Sequence, residues 1–443
     1  MGRSVICEAF LEEYLKNLSK KQGSCVGLLI GQPSSSGKDY VVYLNKIKDD
    51  SGAETEVQNI LDIDNQQVSQ HALIETRLLP GGYYVMGIFV INPKSVFEDQ
   101  NLLRKVKTIL VDIRHTFDSN PLLQGNCDEL DGGEKLVFYY SSSSNVFGCK
   151  TVALKSESLS VKPCDWKFQD RATSWQVMNT FFETDETFSL KKKKQQKQSD
   201  DQYDTETNLT ACVEVLKNQL DRSVAFFDGG PKEGKLLIES TLQDKKDDPF
   251  LVHVYTPLPS NSDISTRTIE TFDGTLKFDG IISSKVFVHP KNTFAEVESF
   301  IKTDIVRSLM SRVQIHCDSL VQSADDSVQD TIVLNELPRR IYFPIQLKSN
   351  LPIMFSEYLF LEEAKETAIP QIRDTLDLVV MPKDLSATVE VVAEVKEEER
   401  HDAKECETSV DEKGEGKLNM TMVGALLAAI VLLIAILVFF MMK

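Results

Sequence analysis

The chain has 443 residues, 42% apolar and 26% charged, with a net charge of -18 from 49 basic and 67 acidic side chains. That length carries two to three domains at roughly 150 residues each, and the proportions exclude a wholly disordered chain. The acidic excess argues against nucleic acid as the main partner, because phosphate binding draws on surplus Lys and Arg.

In chain order, Phe10, Leu11, Tyr14, Leu15 and Leu18 recur at helical spacing. Val26–Gly31, Tyr40–Leu44, Tyr83–Ile91 and Lys135–Tyr140 read as strands, and Leu102–Phe117 as an amphipathic helix. A polar, low-complexity run, KKKKQQKQSDDQYDTET, ends this first domain (1–190) as a linker over 191–207. In the second domain (208–381), Leu209–Leu220 and Phe294–Val313 are predicted helices. Residues 235–242, 250–255 and 280–288 are predicted strands. The expectation is therefore an α/β (α+β) chain. FVINPKSVFED (89–99) and FVHPKNTFAE (287–296) each end a strand and open a helix, a short hint of duplication.

Residues 382–419 are crowded with Asp and Glu and lack aromatics, the composition of a disordered acidic stalk. Beyond it no charge occurs from Met420 through Gly424, Leu427, Leu432, Ile436 and Phe440 to Met442. As a helix this stretch rises about 34 Å, enough to cross a hydrocarbon core of about 30 Å. The first residues contain no secretory pattern, since Glu8, Glu12, Glu13 and Lys16 interrupt the apolar ones. The expectation is a transmembrane tail anchor at 420–442 with the bulk of the chain cytosolic. The eight cysteines are then reduced thiols, and the Asn208 sequon is unused.

Gly31–Asp39 imitates a phosphate-binding loop but has one residue too many between its glycines, and Asp39 stands where a Ser or Thr is needed. It reads as a turn between strands. No metal-binding histidine spacing occurs, and no cofactor is expected. In Leu337–Pro344 two readings stand side by side. Either Arg339, Arg340 and Tyr342 anchor a partner at a sheet edge, or this is an ordinary edge strand with solvated arginines.

Gly27-Leu-Leu-Ile-Gly31 and Gly87-Ile-Phe-Val-Ile-Asn-Pro93, behind the helix at Glu8–Leu18, resemble the MPN fold of zinc isopeptidases that remove ubiquitin-like modifiers. Laid on the pattern of active members, Val90 and Asn92 fall at the two zinc-binding histidines. Asn101 falls at the serine, Arg104 at the aspartate ligand and Ser24 at the catalytic glutamate. A hydrolytic zinc needs three protein ligands and a polarised water, so the resemblance implies a metal-free, inactive domain.

Over essentially the whole length, SVICEAFLEEYL (4–15), GLLIGQ, YYVMGIFVINP, LPRRIYFP and the apolar segment near residue 430 resemble the odorant response abnormal protein 4 family. That resemblance implies a single-pass protein of the endoplasmic reticulum membrane. It implies support for a subset of G-protein-coupled receptors on their way to the cell surface, and association with a protease specific for the ubiquitin-fold modifier. A non-enzymatic adaptor is the expectation. The alternatives are a receptor chaperone acting through its own membrane helix and an isopeptidase with atypical ligands.

Overall fold

The computed structural model describes residues 3–21, 23–48, 59–156, 158–190, 205–244, 249–257, 274–323, 337–345, 352–361, 363–387 and 390. Residues 191–204 of the linker expected at 191–207, the part of the expected stalk beyond 390 and the apolar segment at 420–442 lie outside the described residues, whereas 205–207 are helical, a correction to the linker's end.

The first seven strands close into a barrel in the order β1-β3-β2-β4-β5-β6-β7. They are β1 (Ser4–Glu8), β2 (Cys25–Gln32), β3 (Lys38–Lys46), β4 (Tyr84–Asn92), β5 (Glu134–Ser141), β6 (Phe147–Ala153) and β7 (Val161–Gln169). Parallel pairing of β1 with β7 makes the closing seam. Alternation assigns the faces. On β4, Phe89 and Ile91 point into the barrel, while Ile88 and Val90 join the core outside it. Helix α1 (Ala9–Lys21) adds Leu11 and Leu15 to the barrel core. Gly27 is required by close approach: a Cβ there would sit 2.2 Å from the Phe89 ring and 2.3 Å from the Asn45 carbonyl oxygen.

Helices α2 (Asn65–Leu78) and α3 (Gln100–Asp118) cover the outer face. Each is started by an aspartate whose carboxylate accepts backbone N–H bonds, Asp64 from Gln66 and Asp99 from Asn101 and Leu102. Two short helices, α4 (Pro121–Gln124) and α5 (Cys127–Asp131), lead into β5.

A second sheet runs β10-β9-β11-β8-β12. It contains β8 (Gln176–Leu190), β9 (Val224–Phe227), β10 (Gly230–Pro231), β11 (Phe250–Tyr255) and β12 (Gly274–Val288). Two helices pack on it, α6 (Thr205–Asp221) and α7 (Phe294–Ser323). The sequence reading groups β8 with the first domain, yet it pairs along its length with β12 and also with β11. One apolar core then runs from Val26 and Val90 through Met178, Leu216 and Ile282 to Ile305 and Val313. Burying each such Val, Leu, Ile or Phe contributes roughly 1.5–3 kcal/mol relative to exposure.

The strand expected at 235–242 is corrected. Ile238–Asp244 is a 3-10 turn, and strand pairing before it is confined to one isolated antiparallel bridge between Leu237 and Thr293. Both repeats of the duplicated motif do end a strand and open a helix, β4 into α3 and β12 into α7.

A third sheet, β14-β13-β15, consists of β13 (Arg339–Pro344), β14 (Met354–Leu359) and β15 (Ser386–Ala387), with α8 (Ala368–Leu376) beside it. It corrects two expectations. Strand β13 is central, not an edge. Residues 386–387 and 390, expected to belong to the stalk, are instead docked on the body, because β15 pairs with β13 and Glu390 is buried against Arg312 at 2.6 Å.

Candidate functional site

Helix α7 is enclosed on nearly all sides between Thr303 and Gln314, and its polar residues organise the molecule. Asp304 meets Arg340 of β13 in a two-point pair at 2.7 and 3.0 Å, accepts from the Gly81 N–H at 2.7 Å and from Ser284 Oγ at 2.7 Å. Arg307 donates Nε to the Leu123 carbonyl at 2.8 Å and Nη1 to that of Tyr83 at 3.0 Å. These bonds offset the cost of burying charge.

The pair also decides the partner-anchor reading. Arg340 is 1% exposed and Tyr342 2%. Residues 340 and 342 share the face of β13 turned toward α7 and β12, where Tyr342 Oη donates to the Ser283 carbonyl at 3.2 Å. Neither side chain is available to a partner; this reading of Arg340 and Tyr342 is corrected. Arg339 points the other way and donates to the Glu363 carbonyl at 2.9 Å.

The MPN-like positions separate into two groups. Ser24 stands just before β2 and Asn92 ends β4, so the β2–β4 register brings them together: Ser24 Oγ donates to Asn92 Oδ1 at 3.0 Å. Asn92 Nδ2 donates to the Lys94 carbonyl at 2.8 Å. Val90 is 0% exposed, within the outer core. Asn101 and Arg104 lie on the exposed side of α3, the former in its first turn. Among the described residues no group of three or more His, Cys, Asp or Glu is arranged to hold a metal ion.

Beyond Asn92 opens a groove of about 800 Å³, lined among others by Lys94, Phe97, Glu98, Tyr139, Ser144 and Phe147. Val146 on its rim is 62% exposed. Lys150 lies over the Phe97 ring at 4.5 Å. An open groove with apolar rims and scattered amine, carboxylate and hydroxyl groups suits contact with a polypeptide segment.

The sequence reading missed a buried charge cluster at the start of β5. Lys135 Nζ reaches Asp131 Oδ2 at 2.7 Å and Cys127 Sγ at 3.2 Å, and Arg3 pairs with Asp39. Burial pushes the Cys127 thiol up to about 12. Sequence spacing carried no signal of the pair, because Asp131 ends α5 and Lys135 lies on β5 beyond the Gly132–Gly133 turn. Asp39, the residue that spoils the phosphate-loop pattern, is thus a structural acid, and Gly31–Asp39 is the β2–β3 turn.

The fold and this site define a mixed α/β protein with a buried, hydrogen-bonded polar framework and an open groove at the end of a barrel strand. The sequence model of the ODR4-like family, described as Odorant response abnormal 4-like, matches residues 27–387, and the chain belongs to that family. Its relatives include Protein odr-4 homolog of Xenopus laevis, 25% identical across 99% of both chains. The Drosophila melanogaster homologue is 24% identical across 88% of this chain and 87% of its own. Odorant response abnormal protein 4 of Caenorhabditis elegans is 23% identical across 79% and 71%. Among solved structures, the crystal structure of UfSP from C. elegans aligns at a TM-score of 0.41 and 8% identity, covering 85% of this chain; this chain spans 57% of that protein.

Proposed function

We propose that this chain is a non-catalytic adaptor of the endoplasmic reticulum membrane. In this reading residues 420–442 anchor it, the α/β body faces the cytosol, and the body recruits a protease specific for the ubiquitin-fold modifier while supporting a subset of G-protein-coupled receptors. The observation that carries the proposal is the family match across 27–387. The odorant-response name of the nematode relative supports the receptor arm. The protease arm rests on what the family resemblance implies, and the MPN-like description of the first domain on the motif resemblance at Gly27–Gly31 and Gly87–Pro93. The hydrogen bond from Ser24 to Asn92 and the burial of Val90 support a domain that binds instead of hydrolysing.

Anchoring would convert a dilute cytosolic encounter into a local one, raising the partner's effective concentration at the membrane. Deleting residues 420–443 and fractionating cells tests the mechanism. Adaptor and protease are both expected to shift from membranes to the soluble fraction; a protease that stays on membranes overturns recruitment. Turnover of a modifier-linked fluorogenic substrate by the purified chain alone would restore the isopeptidase reading.

A further inference from the structure

In the antiparallel ladder of β6 and β7, Cys149 stands directly opposite Cys164. Opposed residues of an antiparallel pair share a face, with Cα atoms about 4.5 or 5.5 Å apart. Both spacings fall within the range of about 4.4–6.8 Å that a disulfide spans. Both cysteines are free, and Cys164 Sγ lies 3.7 Å from the Asp165 carbonyl oxygen.

The pair is asymmetric. Cys149 is buried in the barrel core beside Phe138 and Trp166, and burial pushes its thiol well up. Cys164 is half-buried near the seam, and the neighbouring Cys149 thiol, aided by the Arg3 guanidinium, holds its thiol below the usual range. A partly exposed cysteine directly opposite a buried one is the arrangement of an attacking and a resolving thiol.

We propose that Cys164 and Cys149 form a peroxide-responsive modification site that closes into a reversible cross-strand disulfide. The Cys164 thiolate attacks one oxygen of a hydroperoxide such as hydrogen peroxide. The O–O bond breaks, an S–O bond forms, and the departing oxygen takes a proton to leave as water, giving Cys164 sulfenic acid. The Cys149 sulfur then attacks the Cys164 sulfur. The S–O bond breaks, an S–S bond forms, and the Cys149 proton leaves with the hydroxyl as a second water. Two thiols are oxidised by two electrons in all, and one peroxide is reduced. A cellular dithiol reverses the step by exchange.

The bridge would staple the β6–β7 hairpin one residue from Gly148 and two from Phe147, both of which wall the groove. Oxidation therefore stiffens one side of the open surface and leaves the polar framework around α7 untouched.

The test uses the full-length chain, treated with stoichiometric hydrogen peroxide, blocked with N-ethylmaleimide and mapped without reduction. The expected product is one peptide pair joined through Cys149 and Cys164, lighter by two hydrogens and separated by dithiothreitol. In Cys149→Ser, Cys164 sulfenic acid accumulates and is captured by dimedone. Wild-type protein in which both thiols still alkylate, in which Cys164 passes to sulfinic acid without a link, or in which Cys164 links to another cysteine overturns the proposal. The wild-type map stands whether or not the variant folds.

Discussion

At Arg340 the sequence shows a charged side chain in an apolar strand, a pattern shared by partner anchors and solvated edges. What decides between them is Asp304, 36 residues earlier on another element. No local pattern reports such a partner, so neither reading of the strand includes a buried pair. Removing one member of a buried pair strands the other charge, so Arg340→Ala should cost about 3–5 kcal/mol of folding stability in chemical denaturation. Arg339→Ala, which loses one bond to a carbonyl, should cost only about 1 kcal/mol. Equal losses would show that the Asp304 pair is not the difference. Glu75 is a second residue that only the fold reveals. It is fully buried on α2 with the Asn45 amide as its donor, and burial raises its carboxyl to about 8. The unfolded group releases its proton near 4.5, the folded one only near 8. Between those values the folded state holds more protons, so this carboxyl makes stability fall as pH rises. Melting curves at pH 5.5 and 8 should show a smaller pH-dependent loss in Glu75→Gln than in wild type; an unchanged loss would mean that Glu75 is ionised in the fold.

Among the elements, those with a clean period were legible. The stretches read as strands at Val26–Gly31 and 250–255, and as a helix at Leu102–Phe117, are β2, β11 and α3 within a few residues. Helix α2 was missed because its face is mixed, burying Ser69, Glu75 and Thr76 among Val68, Ala72 and Leu73. The false strand at 235–242 had suitable residues, but its strand pairing is confined to the one bridge between Leu237 and Thr293. Strand β15 escaped notice because composition dominates the 382–419 reading, while two residues of pairing and one buried carboxylate suffice to dock its start. Glu390 accepts the backbone N–H groups of Ser283 and Arg340, both at 3.1 Å, besides its pair with Arg312. Glu390→Ala should therefore speed hydrogen exchange at Ser283 and Arg340 and lower stability by about 3–5 kcal/mol. Exchange unchanged at both amides would place the tail's anchor elsewhere.

For the whole molecule, the α/β class and the family were legible, since both rest on motifs spread over most of the chain. The division at 190 was less so, because composition marks the polar linker and not the pairing of β8 beyond it. With β8 in the second sheet and one core shared from Val26 to Val313, the described body should unfold in a single cooperative transition by calorimetry. Two resolved transitions would restore independent domains at 1–190 and 208–381. Barrel closure carries a further consequence. The seven-stranded sheet has no rim at which a foreign strand can add, so backbone-to-backbone capture is denied to it. Among the described residues, free ladder positions remain in the two open sheets, along the outer strands β10, β12, β14 and β15 and along the stretches of β8 and β13 beyond their short pairings with β11 and β15. A partner that binds by lending a strand must approach there, whereas one that meets the barrel must be recognised by side chains alone.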